Sequence, residues 1–327
     1  MPRRSADPAG AGTPPQRPRR ILVILNPVAG RRRRARRRLC RVLAELERLG
    51  CAVTVRPTAG AGDAARLARA AEPEFDLVVA AGGDGTVNEV ANGLTSSLAN
   101  SLANSLGGSS RILGVLPLGT ANVLARELGL PRHPKRLAAL LARAAPRPIW
   151  PGRIGDRLFL CMGGIGFDAA VIARVDPALK RRFGKLAFVW AILASLVRHR
   201  PTPFTIDIDG ARYRAGAAVI ARTRFYAGRF VLAPAARAAD PLLHVVLFPP
   251  ARRGAVLCYL AAMALGVVHR MPRVAVVAGR AASLAGGGEW PAQVDGEILA
   301  ACPLSIAIAD QPLSVLWPEA ARSARSL

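Results

Sequence analysis

Acidic residues are scarce in this chain. Its 21 Asp and Glu stand against 46 Lys and Arg, a formal net charge of +25 over 327 residues. Such a surplus favours anionic partners, namely nucleotides, nucleic acid or an anionic membrane surface, and by itself does not choose among them. Aromatics are only 5% of the residues, and the interleaving of basic and aromatic side chains that marks a single-strand binding surface is missing. That argues against nucleic acid. The cysteines (Cys40, Cys51, Cys161, Cys258 and Cys302) lie far apart with no CxxC pair, so the chain has no sequence pattern of a disulfide framework and reads as carrying thiols in a reducing compartment. His133, His199, His244 and His269 show no ligand spacing, and neither HExxH nor GxSxG occurs. Zinc chemistry and serine hydrolysis are disfavoured on that ground.

Long apolar runs are also absent. Leu186–Val197 and Ala255–Val268 are apolar but shorter than the roughly 18–20 residues a bilayer span needs, and are expected to be core or interfacial helices. Residues 1–20 have no apolar signal region, and their Pro, Gly and Arg content predicts a disordered basic tail with folding from Ile21 onward. With 51% hydrophobic content the chain is long enough for two domains, each with its own core.

What is present centres on Leu77–Leu94, LVVAAGGDGTVNEVANGL. The apolar run Leu77–Ala81 predicts a buried strand and Val87–Asn92 a helix, with Thr86 as its N-cap. Gly82, Gly83 and Gly85 between them let the backbone approach an anion, to which the helix N-terminus adds N–H groups and partial positive charge. The turn is neither a P-loop nor GxGxxG. Asp84 is its unusual member, because a carboxylate in a phosphate cradle repels the ligand unless a metal or a hydrogen-bond donor compensates; it points to Mg²⁺.

The segments around it alternate. Ile21–Leu25 predicts a strand, Arg31–Leu49 an amphipathic helix ended by Gly50, Cys51–Thr58 a second strand and Asp63–Ala71 a short helix. The arginines that load the first turns of Arg31–Leu49 oppose the helix dipole, so an anion is expected nearby. Ser97–Leu106 repeats a tetrapeptide and reads as part of an expanded surface loop over 97–110. Ile112–Leu116 predicts a fourth strand and Ala121–Leu128 a helix, with Gly119, Thr120 and Asn122 forming a second turn able to hold an anion. This βαβαβ succession argues for a doubly wound parallel sheet that binds its ligand beyond the carboxyl ends of the strands. From Pro148 the texture changes to short alternating strands, including a hairpin over Phe204–Ile220 that turns at Asp209-Gly210, and predicts a second, β-rich domain.

NPVAG (Asn26–Gly30), GGDGTVNEV (Gly82–Val90), PLGTAN (Pro117–Asn122), GGIGFDA (Gly163–Ala169) and VDGE (Val294–Glu297) together resemble the signature set of the diacylglycerol-kinase catalytic family. That family includes bacterial diacylglycerol kinases, YegS-like lipid kinases, sphingosine kinases and ceramide kinases. The resemblance runs from about Ile21 to Trp317. It implies an N-terminal doubly wound α/β nucleotide domain (21–147, with 312–327 a candidate to complete it) and a C-terminal β-sandwich-like lipid domain (148–311) with the active site in the cleft between them.

The resemblance further implies an ATP-dependent, Mg²⁺-requiring kinase of a diacylglycerol-like or sphingoid lipid, cytoplasmic and peripheral to the inner face of an anionic membrane; a homodimer is compatible with it. Asn26, Pro27, Gly30, Thr58, Gly82, Gly83, Asp84, Gly85, Thr86, Asn88, Glu89, Gly119 and Thr120 would hold the nucleotide, with Asp84 connected to Mg²⁺ directly or through water. Glu297 would accept the proton of the lipid hydroxyl, supported by Asp295. A further cation site would use the Asp240 side chain and the carbonyls of Arg237 and Leu242, although Pro241 stands where the family often has glycine and His244 where it often has aspartate. Val123, where many diacylglycerol kinases carry aspartate, leaves the acceptor open. A related GGDGT turn serves NAD kinases, so a soluble hydroxyl such as that of NAD is the alternative, and a nucleotide- or nucleic-acid-binding protein without turnover is the third reading.

Overall fold

The computed structural model describes residues 19–29, 33–95, 111–175, 185–198, 200, 203–285, 292–299 and 304–318. Nearly all of the predicted tail, Gly30 with the two arginines after it, and the repeat at 97–110 lie outside them.

The first half alternates: β1 (Arg20–Leu25), α1 (Arg33–Arg48), β2 (Ala52–Pro57), α2 (Asp63–Arg69), β3 (Leu77–Gly82), α3 (Asp84–Thr95) and β4 (Ile112–Pro117). Two short helices, α4 (Val123–Glu127) and α5 (Pro134–Arg143), and β5 (Pro146–Ile149) follow. The strands lie in the order β2-β1-β3-β4, then a last strand from the far end of the chain, then β5; all run parallel except β5. Helices cover both faces, so β1 and β3 are buried almost throughout and their side chains alternate between two cores. Ile21, Val23, Leu77 and Val79 pack with Leu39, Val42 and Leu46 of α1 and Leu137 and Leu141 of α5. Leu22, Ile24, Val78 and Ala80 face Val87, Val90 and Leu94 of α3.

The second half is built from β6 (Gly152–Ile154), β7 (Arg157–Phe159), β8 (Met162–Ile165), α6 (Phe167–Ala173) and α7 (Lys185–Arg198). It continues through β9 (Phe204–Ile208), β10 (Ala211–Ala215), β11 (Ala217–Ala221), β12 (Phe225–Tyr226), β13 (Phe230–Val231), β14 (Leu243–Phe248) and α8 (Arg253–Ala264). The last strands are β15 (Ala275–Gly279), β16 (Ala281–Ala285), β17 (Ala292–Val294), β18 (Glu297–Leu299), β19 (Leu304–Ile308) and β20 (Leu313–Leu316). One sheet has the order β10-β9-β16-β19-β6-β7 and the other β15-β14-β11-β8-β17-β18. Phe204, Ile206, Ile208, Leu284 and Ile306 of the first meet Ile165, Ile220, Val245 and Leu247 of the second, a β-sandwich core.

The central strands of the second sheet are buried on both faces. Val219, Ala221, Val246 and Phe248 on its other side join the same core as Val78, Val87 and Leu124, so one continuous apolar layer welds the sandwich to the parallel sheet. β20 returns to lie between β4 and β5, and the Arg147 guanidinium stacks 3.9 Å from the Trp317 ring centre beside it.

Several expected boundaries move. The helix after β3 starts at Asp84 rather than Val87, inside the glycine turn itself, so Thr86 is a helical residue and not an N-cap. The helix expected over Ala121–Leu128 shrinks to α4, preceded by Asn122 in a left-handed conformation (φ 48°). β16 and β18 carried no expectation, because their Ala-rich or mixed sequences lack the β-branched alternation that marks a strand. In α1, Arg33, Arg34, Arg36 and Arg37 are exposed, while Arg38 turns inward and donates to the Pro131 carbonyl.

α2 and α3 pack closely at Gly93, where an added Cβ would lie 2.2 Å from the Ala65 oxygen and 2.8 Å from the Ala68 Cβ. Gly93→Ala is expected to cost about 1–3 kcal/mol through overpacking, seen as a lower urea midpoint at unchanged slope; a midpoint equal to wild type would contradict this packing.

Candidate active site

The sheet order changes direction between β1 and β3, and the crevice at such a point is where an open parallel sheet binds ligand. Asn26 closes the end of β1: its N–H donates to the Ala81 carbonyl (3.0 Å) and its side-chain amide to the Thr86 hydroxyl (3.1 Å). The Asn26 side-chain oxygen accepts from Val28 N–H (3.0 Å) and Ala29 N–H (3.3 Å), which shapes the exposed turn that carries Pro27. Thr58, beyond β2, is tied to this edge by its N–H to the Leu25 carbonyl (2.8 Å).

The two glycine turns touch. A Cβ on Gly119 would sit 2.5 Å from the Gly83 Cα, and the Gly119 N–H donates to the Gly82 carbonyl (3.2 Å). Gly82 itself lies under Thr86, whose side chain would overlap an added Cβ, whereas Gly85 faces open space. Asn122 braces the second turn by accepting from Gly119 N–H (3.0 Å) and donating to the Gly119 carbonyl (2.8 Å). Thr120 is exposed beside it. Among the predicted nucleotide residues, Asn88 is buried and Glu89 spends its carboxylate on the Ala64 N–H at the start of α2 (3.2 Å), so both support the turn from behind.

Asp84 does not stand bare in the cradle. Its carboxylate accepts the Leu124 N–H (3.3 Å) and is stabilised by the neighbouring N–H groups of Asn122 and Val123, while burial pushes its pKa up. Hydrogen-bond donors therefore supply part of the compensation that its position demands, and the acid alone no longer requires a metal. Asp295 lies within electrostatic reach of Asp84. Burial raises it to about 6, against the pull of three backbone donors: Leu160 (2.8 Å), Cys161 (3.0 Å) and Met162 (2.9 Å). The Cys161 thiol, buried among these acids, is pushed well above its ordinary range by burial first and then by their charges.

Asp295-Gly296 forms the turn of the β17–β18 hairpin, both with positive φ (47° and 88°), the two-residue geometry that Asp-Gly favours. Gln293 holds that turn in place: it accepts the Gly296 N–H (2.9 Å) and donates to Asp168 (2.6 Å), which also accepts the Tyr226 hydroxyl. Glu297 opens β18, half-exposed, with its carboxylate paired to Arg157 of β7. The two halves are clasped by Asn92 of α3, which accepts the Leu158 N–H (2.8 Å) and donates to the Leu158 carbonyl (3.0 Å), and by buried Glu127 of α4, which accepts the Arg224 N–H (3.1 Å).

The structure thus joins Asn26 to Thr86, Gly83 to Gly119 and Asp84 to the start of α4, with Asp295 within electrostatic reach of Asp84 and Glu297 two residues on in β18 of the sandwich. Other links come from residues the sequence left unremarked. Asn92, Glu127, Arg157, Gln293 and Tyr226 act across distances of tens to more than a hundred residues, which no local pattern encodes; only Asp168, inside GGIGFDA, carried a signal.

The two expected cation positions differ. Mg²⁺ is ordinarily held by one or two carboxylates plus substrate phosphates, and Asp84, with Asp295 beyond it, fits an ion that arrives with a nucleotide. Among the described residues no cluster of three or more His, Cys, Asp or Glu side chains could cage a metal by itself. The second position does not fit. The carbonyls of Arg237, Asp240 and Leu242 do converge, but on the guanidinium of Arg222, and the Asp240 side chain is exposed.

Comparison with known proteins agrees with this architecture. The family model of the diacylglycerol kinase catalytic domain matches residues 20–154, and that of the YegS C-terminal NAD kinase beta sandwich-like domain matches residues 163–317. The "Probable lipid kinase YegS-like" of Pseudomonas putida is 33% identical over 71% of this chain and 77% of that protein. A diacylglycerol kinase of Bacillus subtilis is 36% identical over 60% of this chain and 62% of that protein, under two thirds of its length. A crystal structure of a diacylglycerol kinase from Bacillus anthracis superposes with a TM-score of 0.71 over 93% of this chain and 99% of that one, at 22% identity, and shows the shared fold.

Burial holds Asp295 at about 6 in the folded chain, against about 3.9 when unfolded. Its stabilising contribution is therefore full below about pH 4 and lost as pH rises through about 6. Relative to Asp295→Asn, which does not titrate, the wild type is expected to lose on the order of 2–3 kcal/mol between those limits. Urea midpoints measured across the range check this, and a constant difference between the two proteins would refute it.

Proposed function

Because the chain belongs to the diacylglycerol kinase catalytic-domain family, we propose that it transfers the γ-phosphoryl group of ATP to the hydroxyl of a diacylglycerol-like or sphingoid lipid at a membrane surface. The observation that carries this reading is the meeting of Gly83 and Gly119. It sets two anion-competent turns side by side, with two carboxyl groups, Asp84 and Asp295, within electrostatic reach of each other.

Phosphoryl transfer needs phosphates held in line, negative charge neutralised, and a proton acceptor near the attacking oxygen. The open backbone at Gly85 and the N-terminal turn of α3 hold the phosphates. Asn26 and Thr86 fix the rim on which the nucleotide rests. Asp84 would hold Mg²⁺, which when bound would neutralise charge on the phosphates. Glu297 takes the proton of the acceptor hydroxyl once its exposed pairing with Arg157 yields to substrate, and Asp295 anchors the hairpin that presents it.

The surface supports a membrane-bound acceptor. Trp190, Leu193 and Val197 of α7 and Leu257 and Leu265 on and beside α8 expose apolar side chains, the two helices touch, and exposed Arg198, Arg252 and Arg253 lie at their ends. Apolar anchors with arginines around them suit an anionic interface. Among the described residues no helix is long and apolar enough to cross a membrane. The C-terminal family model is likened to NAD kinase, which keeps a soluble hydroxyl acceptor as the second reading.

Purified protein given radiolabelled ATP, Mg²⁺ and a panel of lipids in mixed micelles is expected to yield labelled phospholipid, with Glu297→Gln slowed by about 10²-fold or more. Absence of any lipid product, or Glu297→Gln equal to wild type, would count against the assignment; labelling of NAD without micelles would favour the alternative. Trp190→Asp with Leu265→Asp is expected to release the protein from anionic vesicles without lowering its melting temperature. Vesicle flotation checks this, and unchanged binding would remove these helices from the interface.

A further inference from the structure

Arg222 follows the last residue of β11 and is 0% exposed, the largest fully buried side chain of the structure. Its Nε donates to the Trp150 carbonyl (2.6 Å) and its Nη1 to the Leu242 carbonyl. Its Nη2 faces the carbonyls of Asp240 (2.6 Å), Ala238 (3.1 Å) and Arg237 (3.5 Å). Backbone oxygens from two separate segments, Trp150 and the Arg237–Leu242 turn, therefore point at one positive charge.

These are the ligands a hard divalent cation takes: neutral carbonyl oxygens around a common centre. A guanidinium offers five N–H donors in a plane and no acceptor, so it satisfies the same ring from within the chain. The surroundings are wrong for a metal. The Asp240 side chain is exposed, and among the described residues no group of three acids, thiols or imidazoles is arranged for metal binding. His244, on the adjacent strand, is held low by burial and then by the charge of Arg222, so its imidazole stays neutral. Burial brings Arg222 down to about 10, with Asp240 and Glu127 opposing the shift, which leaves it charged at neutral pH.

We propose that Arg222 is the resident cation of the Arg237–Leu242 turn, filling from the side chain the place expected of a divalent ion. A metal entering the ring would meet a fixed positive charge and find its carbonyls already bonded. The turn so closed also receives the Trp150 N–H at the Ala238 carbonyl (2.8 Å), where the chain passes from β5 into the sandwich. Two residues on, Arg224 bonds Glu127 of α4. Arg222 is thus a positioning residue that locks the junction between the two halves, and this assignment does not rest on the catalytic reading.

The test reads metal content and melting temperature rather than turnover, so it is separable from kinase activity. Nucleotide-free wild-type protein is expected to hold far less than one divalent ion per chain by elemental analysis, and its melting temperature should not move on adding EDTA, Mg²⁺ or Ca²⁺. Arg222→Ala is expected to melt well below wild type and to regain part of the loss with millimolar Mg²⁺ or Ca²⁺, while Arg222→Lys, which keeps one charge, falls between. If Arg222→Ala does not fold, the wild-type metal content and chelator response decide. One tightly held divalent ion per chain whose removal lowers the melting temperature, or an Arg222→Ala protein as stable as wild type, would overturn the proposal.

Discussion

The backbones can touch at Gly83 and Gly119 because Gly119 has no Cβ, which would lie 2.5 Å from the Gly83 Cα, and the geometry of the two turns depends on that approach. It lays the start of α3 beside the start of α4, so that the Asp84 side chain, leaving the first turn of one helix, reaches the Leu124 N–H of the other. Once α4 is fixed, Glu127 near its end is placed to bind Arg224 of the sandwich. In the other direction α3 carries the same constraint outward. Asn92 lies about 12 Å along the helix from Asp84 and there clasps both polar groups of the Leu158 peptide. The glycine turn and the interface between the halves thus lie at two ends of one helix, with the Leu158–Met162 segment that binds Asp295 next to the far end.

The parallel sheet was legible because its strands are buried on both faces and read as unbroken apolar runs, as Leu77–Ala81 does, while α1 shows Leu39, Val42 and Leu46 at helical spacing. The βαβ succession pointed to a doubly wound sheet, whereas the order of its strands, with β20 between β4 and β5, is seen only in the structure. The glycine turns were legible as candidate sites from composition. Their mutual contact was not, since it joins residues on different crossovers. The sandwich was legible as a class but not strand by strand: β16 is AASLA, and its place in the sheet comes from pairing with β9 and β19 rather than from propensity. Arg222 was invisible because ARTRF reads as a polar turn; nothing local says that one of two arginines points into the core. Asp84 was read correctly as an anomaly that needs compensation, but its nearest compensating groups are backbone donors that α4 brings from forty residues away.

A common rule joins these findings. The buried charges of this chain are met by backbone dipoles more than by opposite side chains. Asp295 is held by three amides and Asp84 by the first amides of α4; exposed Asp209 likewise accepts the N–H groups of Arg280 and Ala281 (2.8 Å each). Arg222 is ringed by carbonyls, and buried Arg19 donates to the Leu141 carbonyl (2.6 Å) at the closing turn of α5. With few acids to pair against so many arginines, the peptide group is the abundant partner. Backbone partners are fixed by the fold, so such contacts lose little side-chain entropy on forming and, being buried, are screened little by salt.

Glu297 lies at the surface, outside that rule, and its setting suits the role proposed for it. Its partner Arg157 is a side chain, and both remain substantially exposed, 36% for Arg157 and 46% for Glu297. An ion pair in that setting is worth about 0–1 kcal/mol, little enough for an incoming hydroxyl to displace. Asp295, only two residues before it, could not be released as readily, because three amides would lose their acceptor together. The hairpin therefore separates two duties that one carboxylate could not serve: Asp295 holds the turn rigid against the cleft, and Glu297 stays exchangeable at its open side.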